Sequence, residues 1–209
     1  MPGKIILDIP PTEGNPRNSE GSFVTLKDGT IMFAYSRFRG DEGRDDSAAD
    51  IVAVYSYNKG KSFIDMKTLF TREELNAKNI MSTSLLRLND GSVAIFYMVR
   101  MGFHDLRPVM RVSKDEGETF SKAVYCINYP GYFVVNNDRV RQLSNGRIFI
   151  PAAYHRCLTP DPIAWQSFNG KGVARFFYSD DMGDSFLESS DIGSLNVSGS
   201  TVLQKLSII

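Results

Sequence analysis

The chain has 209 residues, and its 24 Lys plus Arg balance 24 Asp plus Glu. That balance, with no Lys/Arg tract, leaves no electrostatic footprint for nucleic acid or a membrane surface, and neither is expected as a partner. No apolar run reaches the length of a membrane-spanning helix. Two cysteines are too few for a disulfide framework, and no Cys/His spacing suggests zinc, so no metal and no cofactor is expected.

In chain order, Met1 to Pro10 lacks the apolar stretch of a signal peptide, and Ile5 to Ile9 reads as a short strand. A cytoplasmic location is the default expectation, or a secreted one if the N-terminus is incomplete. Leu26-Lys27-Asp28-Gly29 then leads into a strand from Thr30 to Tyr35. The long loop Gly40 to Asp50 follows, then a strand at Ile51 to Tyr55 and the segment Ser56-Tyr57-Asn58-Lys59-Gly60-Lys61-Ser62-Phe63. Thr71 is a helix N-cap for Arg72 to Ala77, the one plausible helix, of one or two turns.

The same order then recurs. Leu88-Asn89-Asp90-Gly91 precedes a strand from Ser92 to Val99, and Val109 to Val112 precedes Ser113-Lys114-Asp115-Glu116-Gly117-Glu118-Thr119-Phe120. Leu143-Ser144-Asn145-Gly146 precedes Arg147 to Tyr154, and Val173 to Tyr178 precedes Ser179-Asp180-Asp181-Met182-Gly183-Asp184-Ser185-Phe186. Asp-Gly and Asn-Gly between apolar runs are strong hairpin signals, because the turn needs a residue that accepts positive φ. In the longer motif Asn58, Asp115 and Asp181 can accept turn N–H groups as Asx-turns do. Phe63, Phe120 and Phe186 are expected to turn inward, and Phe33, Phe96, Phe149, Phe176 and Phe177 to fill the core. Two interleaved signals, each present three times, define a four-stranded unit repeated in the manner of a propeller blade.

These turns resemble the Asp-box, or BNR, repeat of the sialidase (neuraminidase) superfamily. Arg17-Asn18-Ser19-Glu20-Gly21 with Tyr35-Ser36-Arg37-Phe38, and Asn136-Asn137-Asp138-Arg139-Val140 with Ile150 to His155, are similar to its bacterial BNR-like members. The resemblance implies an all-β fold, a propeller of four-stranded antiparallel blades, six in the family. About three are expected here, near 22–70, 82–128 and 138–190, within a single partial domain 1–209 whose tail, 191–209, starts a fourth. Six blades would need roughly 360 residues, so the chain reads as the N-terminal half of a larger propeller, monomeric in its complete form. The rival is a half-ring that dimerises. The resemblance further implies an exo-acting glycosidase, with an arginine triad for the carboxylate of sialic acid, an Asp acid/base and a Tyr nucleophile activated by a Glu. The Phe/Tyr-Arg-Ile/Leu-Pro motif that carries the family's first arginine is absent. The Tyr/Glu pair would fall in blades this chain lacks.

The candidate residues follow from both readings. Arg17 is a bidentate carboxylate binder by its guanidinium fork, and Glu20 orients it or transfers protons; the alternative is a solvated loop pair. Arg37, Arg100 and the pair His155-Arg156 end corresponding strands, which suggests cations converging from the innermost strand of each blade on one anion site; the alternative is charged edge protection. Asp46 and Asp50, on the loop where the family places its acid, are the acid/base candidates, against a solvated acidic loop. Asp138 and Arg139 occupy the position of Arg17 to Glu20 in a later repeat, as ligand contacts or as a structural ion pair. Tyr154 and Trp165 could stack on a sugar. The expected partner is a glycan with a terminal acidic sugar, cleaved by an exo-α-sialidase-like hydrolase. A non-catalytic glycan- or protein-binding module and an inactive remnant are the other readings.

Overall fold

The computed structural model describes residues 3–159 and 167–194. Trp165 and the tail from Val202 lie outside the described residues. The first sheet is antiparallel, in the order β1 (Asn18–Thr25), β2 (Ile31–Phe38), β3 (Ala49–Ser56), β4 (Ile64–Phe70). The strands follow chain order: tight turns join β1 to β2 and β3 to β4, and the long loop joins β2 to β3. Ile5 to Ile9, expected as a strand, forms none; Leu7 and Ile9 instead pack on Tyr35, Val52 and Val54.

Arg72–Leu75 is a 3-10 helix. Glu74 accepts a hydrogen bond from the Thr71 N–H at 3.0 Å, which anchors its start. Beyond it come β5 (Asn79–Arg87), β6 (Val93–Gly102), β7 (Asp105–Ser113) and the short β8 (Val124–Tyr125). A second set is β10 (Arg141–Gln142), β11 (Ile148–Cys157), β12 (Phe168–Ser179) and β13 (Leu187–Gly193). The strand β9 (Tyr132–Val134) joins the two sets by pairing antiparallel with β11 and parallel with β7.

The repeated turns form by local chemistry. Ser56, Ser113 and Ser179 hydroxyls accept the N–H of Gly60, Gly117 and Gly183 at 2.8, 2.7 and 2.8 Å. Asp115 and Asp181 each take the backbone N–H of the residue four ahead, Thr119 or Ser185, at 2.9 Å, and that residue's hydroxyl as well. Asn58 takes the Ser62 N–H at 3.0 Å. The three glycines sit at φ between 78° and 98°, where a side chain would be strained.

Packing lies between successive sets of strands. Met32, Ala34, Ile51 and Ala53 of the first sheet meet Ile80, Ile95, Tyr97 and Val109 of the next. Further on, Phe96, Met98 and Met110 meet Ile148, Ile150 and Phe177. Alternation puts residues i and i+2 on one sheet face, so Phe33, Phe149 and Phe176 fall on outward faces and are half-buried, unlike the core positions Phe96 and Phe177. Phe63, Phe120 and Phe186 are half-buried and turn inward as expected, each packing against buried apolar residues.

Candidate functional site

Three residues break the backbone pattern at corresponding places. Glu20, Ser82 and Asp138 have φ of 59°, 59° and 55°. They stand nine, nine and eight positions ahead of the turn glycines Gly29, Gly91 and Gly146. In β1 and β5 the left-handed residue lies at a bulge, between Ser19 and Ser22 and between Met81 and Ser84. A bulge re-aims a side chain that a regular strand would hold on one face. A non-glycine residue at positive φ costs on the order of 1–3 kcal/mol and persists only where surrounding bonds over-determine it.

Those bonds run between the sheets. The Ser82 hydroxyl donates to Glu20 Oε2 at 3.1 Å, and its N–H donates to the Ser36 hydroxyl at 2.9 Å. The Thr83 hydroxyl reaches the Glu20 and Ala34 carbonyls at 3.1 and 2.9 Å. Asp138 N–H donates to the Thr83 carbonyl at 3.0 Å, and Asn137 Nδ2 donates to the Gly21 carbonyl at 3.0 Å. The three irregular segments are thus tied edge to edge.

A cavity of about 280 Å³ opens beside them. Its polar lining includes Glu20, Ser82, Asp45, Arg100, His155 and Asn169. Met81, Met98, Leu106, Val134 and Phe168 make an apolar wall. Arg100 is 3% exposed; its Nη1 donates to the Tyr132 hydroxyl at 3.2 Å, and its guanidinium lies 5.3 Å from that ring's centre. Burial pushes the Tyr132 phenol above its ordinary range, against the pull of Arg100, so the hydroxyl stays protonated at neutral pH.

Arg17 bridges the two carboxylates of the cavity, with Nη1 2.5 Å from Asp45 and Nη2 3.5 Å from Glu20. It also bonds the Gly43 carbonyl and stacks over Phe38, 4.4 Å from the ring centre. Burial raises the proton affinity of Glu20; Arg17 opposes this, Asp45 adds to it, and Ser82 opposes it. His155 sits with Nδ1 3.2 Å from the Asn169 carbonyl. That contact needs the proton on Nδ1, and burial lowers the pKa of the ring, so His155 is a neutral imidazole.

The structure therefore brings together Glu20, Arg100 and His155, with Arg17 bonded to Glu20 and Asp45. It places the other sequence candidates elsewhere. Asp50 is held by Arg39 Nε at 2.8 Å and by the N–H of Arg72 at 3.1 Å, outside the cavity. Asp46 pairs with Arg44 at 3.1 Å. Asp45, one residue earlier, is the carboxylate of this loop that lines the cavity. Asp138 pairs with Arg141 at 3.3 Å and accepts from Ser22, while Arg139 bonds the Asp138 carbonyl.

The expected convergence of Arg37, Arg100 and Arg156 does not occur. Arg37 shares a face of β2 with Phe33 and Tyr35, and Arg156 is exposed beside Lys171 and Tyr154 around a separate cavity. The reason is strand phase. Arg37 is eight residues past Gly29, Arg100 nine past Gly91 and Arg156 ten past Gly146. A difference of one residue turns a side chain to the other face. His155, nine past Gly146, is in phase with Arg100. Arg37 and Arg100 lie on β2 and β6, each one strand in from the edge strands β1 and β5.

The class defined by this fold is an all-β protein of sialidase-like architecture. Among solved structures, the chain is similar to the Hadza microbial sialidase Hz136, with TM-score 0.64 and 13% identity over 84% of this chain and 37% of that one. It is similar to the leech intramolecular trans-sialidase complexed with 2,7-anhydro-Neu5Ac, with TM-score 0.65 and 12% identity over 96% of this chain and 47% of that one. A protein of unknown function from Dyadobacter fermentans matches with TM-score 0.63 and 18% identity over 86% and 55% of the two chains. The chain thus spans between about a third and just over half of these structures. No family model and no curated protein matches it.

Proposed function

We propose that this chain supplies three blades, near 22–70, 82–128 and 138–190, of a six-bladed β-propeller that acts as an exo-α-sialidase-like hydrolase on a terminal acidic sugar. The observation that carries the reading is the single cavity that holds a buried guanidinium, Arg100, together with a carboxyl group of raised proton affinity, Glu20. The sialidase-like fold supports it.

The roles follow from chemistry. A planar guanidinium matches a carboxylate bidentately, and Arg100 in a low-dielectric wall binds an anion more strongly than a solvated lysine would. Glu20 keeps a proton to higher pH than an ordinary glutamate and so suits proton transfer to a leaving oxygen. Asp45 is the second carboxylate of the site, held by Arg17. In this reading the remaining carboxylate-binding arginines and the nucleophile come from the rest of the ring.

The test is turnover of a fluorogenic sialoside by the chain alone and by the longest form of the protein, beside a neutral glycoside. Sialoside cleavage that Arg100→Lys weakens at least tenfold is expected. Cleavage of the neutral glycoside alone would overturn the acidic-sugar assignment. A second reading, a glycan-binding module without chemistry, is favoured by the apolar wall of Met81, Met98 and Phe168 beside Arg100. Sialoside binding by calorimetry with no turnover would select it.

A further inference from the structure

Glu20 belongs to the first sheet and Ser82 to the second, yet both sit at strand bulges with φ of 59°. Their side chains meet where the two sheets pack. We propose that Ser82 is a positioning residue whose hydroxyl holds and tunes the Glu20 carboxyl for proton transfer in the cavity. This rests on the reading of Glu20 as the proton-transfer group.

The geometry carries the inference. Ser82 Oγ lies 3.1 Å from Glu20 Oε2, and the backbone that presents it is fixed from the other side by the Ser82 N–H bond to Ser36 at 2.9 Å. Ser36 and Ser82 are both buried, so the N–H bond between them is shielded from competing water. In a regular β5 position 82 would stand out from one face of the sheet in strict alternation with its neighbours; the left-handed bulge re-aims it, and its hydroxyl meets Glu20. Regular strand geometry would avoid the strain, and the structure keeps the strain at the residue that touches the carboxyl.

The consequences have a definite sign. A donated hydrogen bond favours the carboxylate over the acid. Ser82 therefore works against burial and Asp45, and with Arg17, so that Glu20 can release its proton as well as hold it. The groups that face the carboxyl are Arg17, Asp45 and Ser82. The hydroxyl thus favours the carboxylate form of Glu20, against the effect of burial.

The experiment follows the Glu20 carboxyl by NMR in protein labelled at the glutamate side-chain carbonyl, with Glu20→Gln assigning the signal. Ser82→Ala and Ser82→Gly remove the hydroxyl, and the glycine variant also relieves the backbone. Both are expected to move the Glu20 titration midpoint upward. Thr83→Val strips hydroxyl bonds from the same bulge but leaves the carboxyl donor, and is expected to leave the midpoint in place. An unmoved midpoint in both Ser82 variants, or an equal shift in Thr83→Val, would overturn the proposal. The titration needs no turnover, so the shift can appear in a protein that cleaves no sialoside. In that case the sialidase reading fails and the coupling of Ser82 to Glu20 stands.

Discussion

The Ser22 hydroxyl donates to Asp138 Oδ1 at 3.1 Å across 116 residues of sequence. The same hydroxyl accepts the buried N–H of Leu85 at 3.0 Å. One side-chain oxygen thus joins three segments: β1, β5 and the turn that carries Asp138. Ser22→Ala leaves the Leu85 N–H without its partner in a place water does not reach. The expected loss is about 1–3 kcal/mol, seen as a lower urea midpoint with an unchanged slope. A midpoint equal to the parent's would show that the segments hold together without this bond.

Asp45, on the loop between β2 and β3, and Asp50, at the start of β3, are expected to separate binding from stability. Asp50→Asn weakens the Arg39 pair and the cap on the Arg72 N–H, and is expected to lower the urea midpoint by about 1–3 kcal/mol of stability while leaving sialoside binding intact. Asp45→Asn is expected to do the reverse, since its side chain is about half exposed but lines the cavity. Calorimetry with a sialoside and urea unfolding on the two variants decide between them. A binding loss confined to Asp50→Asn would move the second carboxylate of the site to that position.

The repeated turns predict an acid response. Asp115 and Asp181 are held at about 2, against an ordinary 3.8, by the hydroxyl and N–H of Thr119 and Ser185. Glu116 is held at about 2, against 4.5, by Arg87. These pKa values are depressed in the folded state, so their stabilisation is present above the unfolded values and is lost as pH falls from about 4.5 toward 2. The thermal midpoint should drop through that window, and the drop should be shallower in Asp115→Asn, Asp181→Asn. The first turn already carries Asn58 in this role and adds nothing to the slope. Identical acid limbs in parent and double variant would show that solvent screens both aspartates.

Gly21 follows Glu20 in the bulge of β1. A Cβ there would collide with the Phe33 ring and lie 2.9 Å from the Ala34 carbonyl oxygen. The ring can swing, but the backbone oxygen belongs to the β1–β2 pairing. Gly21→Ala is expected to cost about 1–3 kcal/mol and to shift the Glu20 carboxyl signal, because the bulge that aims it must move. Circular dichroism melting and the NMR signal report the two effects. A neutral variant would mean that the strand accommodates a methyl group.

Much of the fold was legible in the chain itself. Ser, Asp and Gly at fixed offsets close their own turns within a few residues, so the hairpins and their order followed from local hydrogen bonding and from the positive φ that Gly60, Gly117 and Gly183 accept. The apolar runs between those turns then had to be antiparallel strands. Glu20, Arg100 and His155 were also visible as candidates, because charged or titratable groups beside strand ends stand out.

Which face and which residue met the cavity was settled only by tertiary structure. Side chains alternate at every position of a strand. Arg37 and Arg156, one residue out of phase with Arg100, were therefore turned elsewhere, and Asp45 of the long loop lines the cavity in place of Asp46 and of Asp50, which lies in β3. Ser82 carried no motif; its left-handed bulge is held by Ser36 and Glu20 of another sheet, which bond to Ser82 and to Thr83 beside it. Local chemistry wrote the repeats, and the packing of distant strands chose the few side chains that share one space.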